Sequence, residues 1–415
     1  MVRTPESLAT KYRVVRERSL SICGPLETED YQIQPMDDAS PPKWHLAHVS
    51  WFFETFLLKP HVRSYKPFNA AFEVLFNSYY NGVGKQFPRS KRGLLSRPTV
   101  AEVRAYRRHV DREMTRLMEN ELTEDIVFKI TLGLNHEQQH QELLLTDIKY
   151  NLGHNPLYPA LVSADTGVAE PLNQLDFVAF EGGVYEIGKD ANPQFSFDNE
   201  SPRHEVLVGD FEIGNQLITN RDYLQFIHEN GYGRSELWLS DAWSWLAKEK
   251  IKAPLYWHNI DNNWFEYTLS GFQPLQPDQP VCHVSGYEAD AFARWKEARL
   301  PSEQEWEVMA GDISTSGNFL ETELYHPRPY QQPQPLNQVF GDVWEWTASS
   351  YGPYPRFKPF PGQLGEYNGK FMANQLVLRG GSCATAATHI RASYRNFFYP
   401  KDRWQFSGIR LARDC

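Results

Sequence analysis

The chain has 415 residues and a formal net charge of -10; one ordinary core does not serve that length, so two domains are expected. The acidic balance argues against nucleic acid as the main partner, because phosphate binding draws on an excess of Lys and Arg. No long apolar run is present, which argues against a membrane span, while aromatic residues at 14% are plentiful enough to build ring-lined sites.

The opening stretch MVRTPESLATKYRVVRERSL lacks the apolar core of a secretion signal and leads into helix, so a cytoplasmic protein is expected. Cys23, Cys282, Cys383 and Cys415 form no C-x-x-C pair. That usage suits a reducing compartment, with no disulfide framework and no zinc ribbon.

PPKWHLAHVSWFFETFLL opens on Pro41-Pro42 and predicts a helix running to Leu58. A connection from about Pro60 to Arg97 follows, rich in Gly, Pro and basic residues. Loops of that length in compact domains are functional or disordered, and the aromatic content here favours function. Thr99 and Glu102 then form a capping box before a helix whose apolar stripe is Val103, Tyr106, Val110, Met114 and Leu117. Another helix is expected from near Asp125 to Tyr150. With the N-terminal segment these make the four helices of a bundle in residues 1–155.

Residues 156–175 are broken by Pro and Gly and read as a linker. From Asp176 onward short strand-like runs (FVAF, HEVLVGDFEIG, QLVLRGG, GIRLARD) alternate with turns and with helices such as TNRDYLQFIHENG and GYEADAFARWKEA. This is an α+β domain over 176–415.

The chemistry is concentrated in NHEQQHQE, where His136 and His140 stand four residues apart. At that spacing two imidazoles project from one helix face and can share one ion. The letters also fit the H-E-x-x-H pattern of zinc proteases, but the longer H-E-x-x-H-x-x-G-x-x-H form fails, since Leu143 and Thr146 occupy its Gly and His positions. A third ligand has to come from elsewhere, and WHLAH offers His45 and His48 on the preceding helix. Three neutral imidazoles suit zinc hydrolysis or O2 chemistry at Fe(II) alike.

Four stretches, PPKWHLAHVSWFFETFLL, FNSYYNGVGKQFPRSKRGLLSRPTVAEV, NHEQQHQELLLTDIKYN and SYRNFFYPKDRWQFSGIRLARD, together resemble the sulfoxide synthases of ergothioneine biosynthesis. These are non-haem iron enzymes that join a thiol to the imidazole C2 of hercynine. In the second half FEGGVYEIG, LPSEQEWEVMA, GDVWEWTAS and LRGGSC resemble the formylglycine-generating-enzyme fold. The resemblance implies a DinB-like four-helix bundle followed by a C-type-lectin-like α+β domain, with the site between the two.

The resemblance further implies Fe(II) as cofactor with His48, His136 and His140 as its ligands, and gives neither His45 nor Glu137 that role. Gln139 matches the position that hydrogen-bonds the hercynine imidazole. Asn396, Phe397 and Phe398 match the segment that receives its trimethylammonium and carboxylate end, a group recognised by aromatic faces and oxygen dipoles. Tyr79 and Tyr80 match a catalytic tyrosine pair; in extended backbone the two would point to opposite sides, one towards the iron. Arg89 and Arg92 match positions that bind the carboxylate of the sulfur substrate through a guanidinium fork.

The expected partners are therefore small molecules, namely hercynine, O2 and cysteine or γ-glutamylcysteine, with the tyrosine pair favouring cysteine. Neither nucleic acid nor membrane is expected as a partner, and assembly as a homo-oligomer is left open. Rival readings are a related synthase acting on histidine or with a selenium donor, an H-E-x-x-H zinc hydrolase, and a non-enzymatic lectin-like binding protein. With only Cys383 beside the RGGS segment and Cys415 at the end, oxidation of a peptidyl cysteine is not expected.

Overall fold

The computed structural model describes residues 7–163, 175–190, 195–311, 313–330 and 334–415. They divide into two compact units, Met1–Asn155 with Phe360–Tyr367, and Pro156–Pro359 with Asn368–Cys415. The first unit thus takes in a short segment that the change of sequence texture assigned to the second domain.

The described residues of the first unit are built on four long helices. α1 (Leu8–Ile22) is capped by Ser7, and α2 (Pro42–Phe53) begins at Pro41-Pro42 and is buried along its whole length. It continues through one π-helical turn, Glu54–Leu58, into Lys59–His61. α3 (Val100–Met118) starts at the expected Thr99/Glu102 capping box, and the expected apolar stripe is its buried face. α4 (Glu124–Gly153), capped by Thr123, crosses the unit as its longest helix. No described helix is long and apolar enough to cross a membrane.

The crossing of α2 and α4 depends on Gly133: a Cβ there would lie 2.6 Å from Cε1 of Phe53 and 3.1 Å from Cε1 of Phe52. The missing side chain lets the two helices approach one turn before His136. The long connection between α2 and α3 carries two short helical pieces, Phe72–Leu75 and Arg89–Leu94. Its first piece is fixed to one face of α2, where the indole N–H of Trp44 donates to the Leu75 carbonyl at 3.1 Å and that of Trp51 to the Glu73 carbonyl at 3.1 Å.

Among its described residues, the second unit contains twelve short strands in four sheets. β1 (Phe177–Phe180), β4 (Phe211–Gly214) and β12 (Ala412–Asp414) form one antiparallel sheet in the order β1-β4-β12. β2 (Gly183–Ile187) pairs with β3 (His204–Val208), and β5 (Trp257–Ile260), β6 (Asn263–Thr268) and β7 (Gly271–Pro274) form a meander. β8 (Trp344–Ser350), β9 (Leu376–Arg379), β10 (Asn396–Phe398) and β11 (Ser407–Gly408) form the fourth sheet, in the order β10-β9-β8-β11. The run HEVLVGDFEIG, continuous in its hydrophobic pattern, is split between two sheets. Among the described residues, four helices of eight residues or more accompany them: α5 (Asn220–His228), α6 (Ser240–Glu249), α7 (Gly286–Trp295) and α8 (Glu303–Ala310).

Of the expected linker, residues 164–174 lie outside the described residues. The stretch just before them is packed: Tyr158 stacks on Phe272, and the Leu161 and Val162 amides both donate to the Leu269 carbonyl. Three stretches of the second half, LPSEQEWEVMA, GDVWEWTAS and GIRLARD, meet at Glu345 of β8, which accepts from Trp306 Nε1 at 2.8 Å and from Arg410 Nε at 2.8 Å. All three side chains are buried. An arginine and a carboxylate desolvated together need each other, so these separated residues have to occur jointly.

Candidate metal centre

Trp44, His48 and Trp51 occupy one face of α2, at helical spacings of four and three. The His48 ring lies between the two indoles, at centroid distances of 4.6 Å and 5.6 Å and nearly parallel to both. Its Nδ1–H donates to the Phe76 carbonyl at 2.6 Å, which directs Nε2 away from that contact. Nε2 lies 3.1 Å from Nε2 of His136, close to the roughly 3 Å expected for two ligands at right angles about an ion ~2.1 Å from each.

His140 completes the group: ligand nitrogens of His48, His136 and His140 all lie within 4.8 Å of one another. It is the one such cluster of His, Cys, Asp and Glu side chains found among the described residues. Nδ1 of His136 is buried without a hydrogen-bond partner, as befits a ring held by packing against Phe52 at 4.7 Å. Burial above all holds the three imidazoles neutral: His136 is pushed down to about 3, and His48 and His140 lie well below the usual histidine range, lowered further by their histidine neighbours. Neutral imidazoles offer lone pairs with no proton to displace. The donor set fits a divalent transition metal with coordination positions left over.

Glu137 faces the other way. Its carboxylate is fully buried and accepts from Arg16 Nη1 at 2.9 Å, from Ser19 Oγ at 2.6 Å and from Arg107. The glutamate of the H-E-x-x-H letters is therefore committed to an internal ion pair and is not poised as a base beside the histidines. His45, given no ligand role above, is buried next to them and bridges His140 and Asp147.

Tyr79 and Tyr80 do not point to opposite sides. Their rings stack with centroids 4.7 Å apart, because the backbone curls where Asn77 Oδ1 accepts the Tyr80 amide at 3.1 Å. Tyr80 is fully buried against Trp51 and Phe56. Burial, with the neighbouring phenols of Tyr79 and Tyr367, holds its hydroxyl well above the usual tyrosine range.

Sequence reasoning missed Tyr367. It comes from the segment that joins the first unit, its ring is edge-on to His136 at 5.7 Å and to Tyr79 at 6.5 Å, and its hydroxyl donates to Gln139 Oε1. The same segment is latched just beyond the tyrosine pair: Glu366 accepts from the Asn81 and Gly82 amides at 3.0 and 2.7 Å, and Gln363 Nε2 donates to the Gly82 carbonyl at 2.6 Å. The EYNGKF stretch carried no periodic or ligand signal that would separate it from its surroundings.

The two arginines differ sharply. Arg89 is exposed, 3.9 Å from Asp38. Arg92 is buried, its guanidinium 3.3 Å from the Trp44 ring centroid and one nitrogen donating to Ser40 Oγ at 2.9 Å. Its Nε has no partner and no described carboxylate pairs with it. Its charge helps to lower both His48 and His140.

Asn396, Phe397 and Phe398 belong to the second unit, on β10. Phe397 stacks on Tyr351 at 4.0 Å, Phe398 is edge-on to Trp404 at 6.2 Å, and Asn396 Oδ1 accepts the next amide.

A helical bundle bearing three convergent imidazoles, followed by an α+β unit of short sheets, defines a two-part protein with a candidate metal centre in its helical part. The family models agree: residues 11–144 match the DinB superfamily, and residues 164–327 and 329–415 match the sulfatase-modifying factor enzyme 1-like domain. A hercynine oxygenase of Mycolicibacterium smegmatis is 30% identical over 443 aligned positions covering 99% of each chain, and one of Mycobacterium tuberculosis is 30% identical over 440, again 99% of each. The ergothioneine biosynthesis protein 1 of Schizosaccharomyces pombe is 28% identical over 235 positions, 53% of this chain and 28% of that one. The chain belongs to the hercynine oxygenase family, and with it to the oxidoreductases.

Proposed function

We propose that the protein is an iron(II)- and O2-dependent sulfoxide synthase of ergothioneine biosynthesis, joining cysteine, or γ-glutamylcysteine, to the imidazole C2 of hercynine. The C2–H and S–H bonds break and C–S and S–O bonds form. Those four electrons reduce one O2, whose oxygens end in the sulfoxide and in water. Iron bound by His48, His136 and His140 would supply the stepwise electron transfer that O2 requires. The fit of the donor set and the family membership support this reading.

The observation that carries it is Arg92. A buried guanidinium with no carboxylate in ion-pair contact, Asp147 acting on it only at longer range, is costly, and the carboxylate of the thiol substrate would supply the close counter-ion. Gln139, held by the Tyr367 hydroxyl, orients the hercynine imidazole. The Tyr80 phenol, its pKa raised by burial, keeps its proton and is available as a proton donor, with the Tyr79 and Tyr367 phenols beside it. Asn396, Phe397 and Phe398 take the trimethylammonium and carboxylate end. Zinc hydrolysis is disfavoured because Glu137 is already paired with Arg16 and Arg107.

The test is anaerobic reconstitution with Fe(II), followed by mass spectrometry after addition of O2, hercynine and either thiol. A product containing both substrates plus one oxygen is expected. Iron uptake without coupled product would transfer the site to another substrate pair. Phe in place of Tyr79, Tyr80 or Tyr367 diverts turnover towards simple thiol oxidation where that phenol is the donor; unchanged partition in all three removes the role.

A further inference from the structure

His140 has a partner behind it that the ligand motif does not contain. Its Nδ1 lies 2.9 Å from Nδ1 of His45, and Nε2 of His45 lies 2.9 Å from Asp147 Oδ2. The same Oδ2 accepts the Ser40 amide at 2.8 Å. His45 and Asp147 are both buried, so water does not replace these contacts.

The direction of the chain follows from its ends. A carboxylate only accepts, so His45 donates from Nε2, and in the neutral ring its Nδ1 carries the lone pair. His140 must then donate from Nδ1, and its own lone pair sits on Nε2. We propose that His45 and Asp147 are positioning residues for the metal: they hold His140 in the one tautomer and ring orientation that presents Nε2 to an ion. The proposal rests on the three histidines being a metal centre. His48 is held the same way by the Phe76 carbonyl, so two of the three ligands have their tautomer set by a buried acceptor. Outer partners of this kind are worth on the order of 10–100-fold in metal affinity.

The substitutions can separate hydrogen-bond direction from charge. In Asp147→Asn the atom facing the Ser40 amide must still be an oxygen, so the acceptor for His45 survives. In Asp147→Leu it does not. The experiment is an anaerobic Fe(II) titration of the full-length protein, with the melting temperature of each metal-free variant measured alongside. Wild type and Asp147→Asn are expected to bind similarly, while His45→Ala and Asp147→Leu weaken binding on the order of 10–100-fold, out of proportion to any change in metal-free melting. A merely structural role would lower the metal-free melting temperature and leave the metal-induced increment unchanged. Equal Fe(II) affinity in all four proteins would overturn the relay while leaving the metal centre intact. Absence of Fe(II) uptake by wild type would remove the metal reading itself and this inference with it. Nitrogen-15 shifts of His140 in the metal-free wild type decide the matter even if a variant does not fold: hydrogen on Nδ1 is expected, and hydrogen on Nε2 contradicts the proposal.

Discussion

In the second unit Arg379, Arg395 and Arg410 are buried, and each is answered by a carboxylate, from Glu307, Glu303 and Glu345 respectively. In the first unit Arg16 and Arg107 are answered by Glu137, but Arg92, also buried, rests on a tryptophan face and a serine hydroxyl. The closed pairs explain themselves as structure, because each ion's desolvation is offset by its partner. The open one does not. A buried charge left without its counter-ion raises the free energy of the folded chain, so its presence points to a ligand that completes it.

Opening a closed pair should have the largest effect. Glu137→Ala strands Arg107 and leaves Arg16 with Asp111 alone, and Glu345→Ala strands Arg410; each should cost about 3–5 kcal/mol in urea unfolding. A comparable loss in Arg92→Met would erase the contrast between open and closed charges. Next comes Gly133→Ala, which drives a methyl group into Phe53 at the helix crossing and should cost about 1–3 kcal/mol of overpacking strain, with weaker Fe(II) uptake as the separate readout.

Acid should act on the histidine cluster and not on the arginines. The folded-state pKa values of His48, His136 and His140 are depressed, so the unfolded chain binds more protons once the pH falls below the ordinary histidine value. Their contribution to stability is complete above about pH 6.5 and is lost as pH falls through the window that for His136 ends at about 3. The slope is about 1.4 kcal/mol per pH unit for each group inside its window. Metal-free unfolding curves at a series of pH values test this, and a slope unchanged in His136→Gln would count against the assignment.

Arg92→Met should leave stability unchanged or improved while raising the KM for the thiol substrate. Arg89→Ala should change stability by no more than about 0.5 kcal/mol, and its effect on that KM should be the smaller of the two. Equal effects on KM would show that burial is not what separates these arginines.

Much of the first unit could be read from periodicity. The stripe on α3 and the Thr99/Glu102 cap are local patterns, and so is the four-residue spacing of His136 and His140. The meeting of His48 with His136 is not local, since it depends on a helix crossing that one missing side chain at Gly133 permits. His45 looked redundant because its partner Asp147 lies on another helix. In the second unit the single run HEVLVGDFEIG concealed a change of sheet, and a meander over Trp257–Pro274 gave no clean alternation because its buried positions follow neighbouring strands. Tyr367 was hidden for a further reason: composition divides a chain only where texture changes, and a short return to the other unit changes no texture.

That return has a consequence for the order in which the molecule is made. All three histidines lie within the first 155 residues, whereas Glu366 and Tyr367 arrive only with the segment Phe360–Tyr367. Chains leave the ribosome N-terminus first, and domains fold as they emerge. The nascent bundle therefore has its three candidate metal ligands well before it has Tyr367 or the Glu366 latch beyond Tyr79 and Tyr80. Chemistry that depends on that phenol is withheld until most of the second unit has been translated, and a prematurely terminated chain would carry the ligands without it.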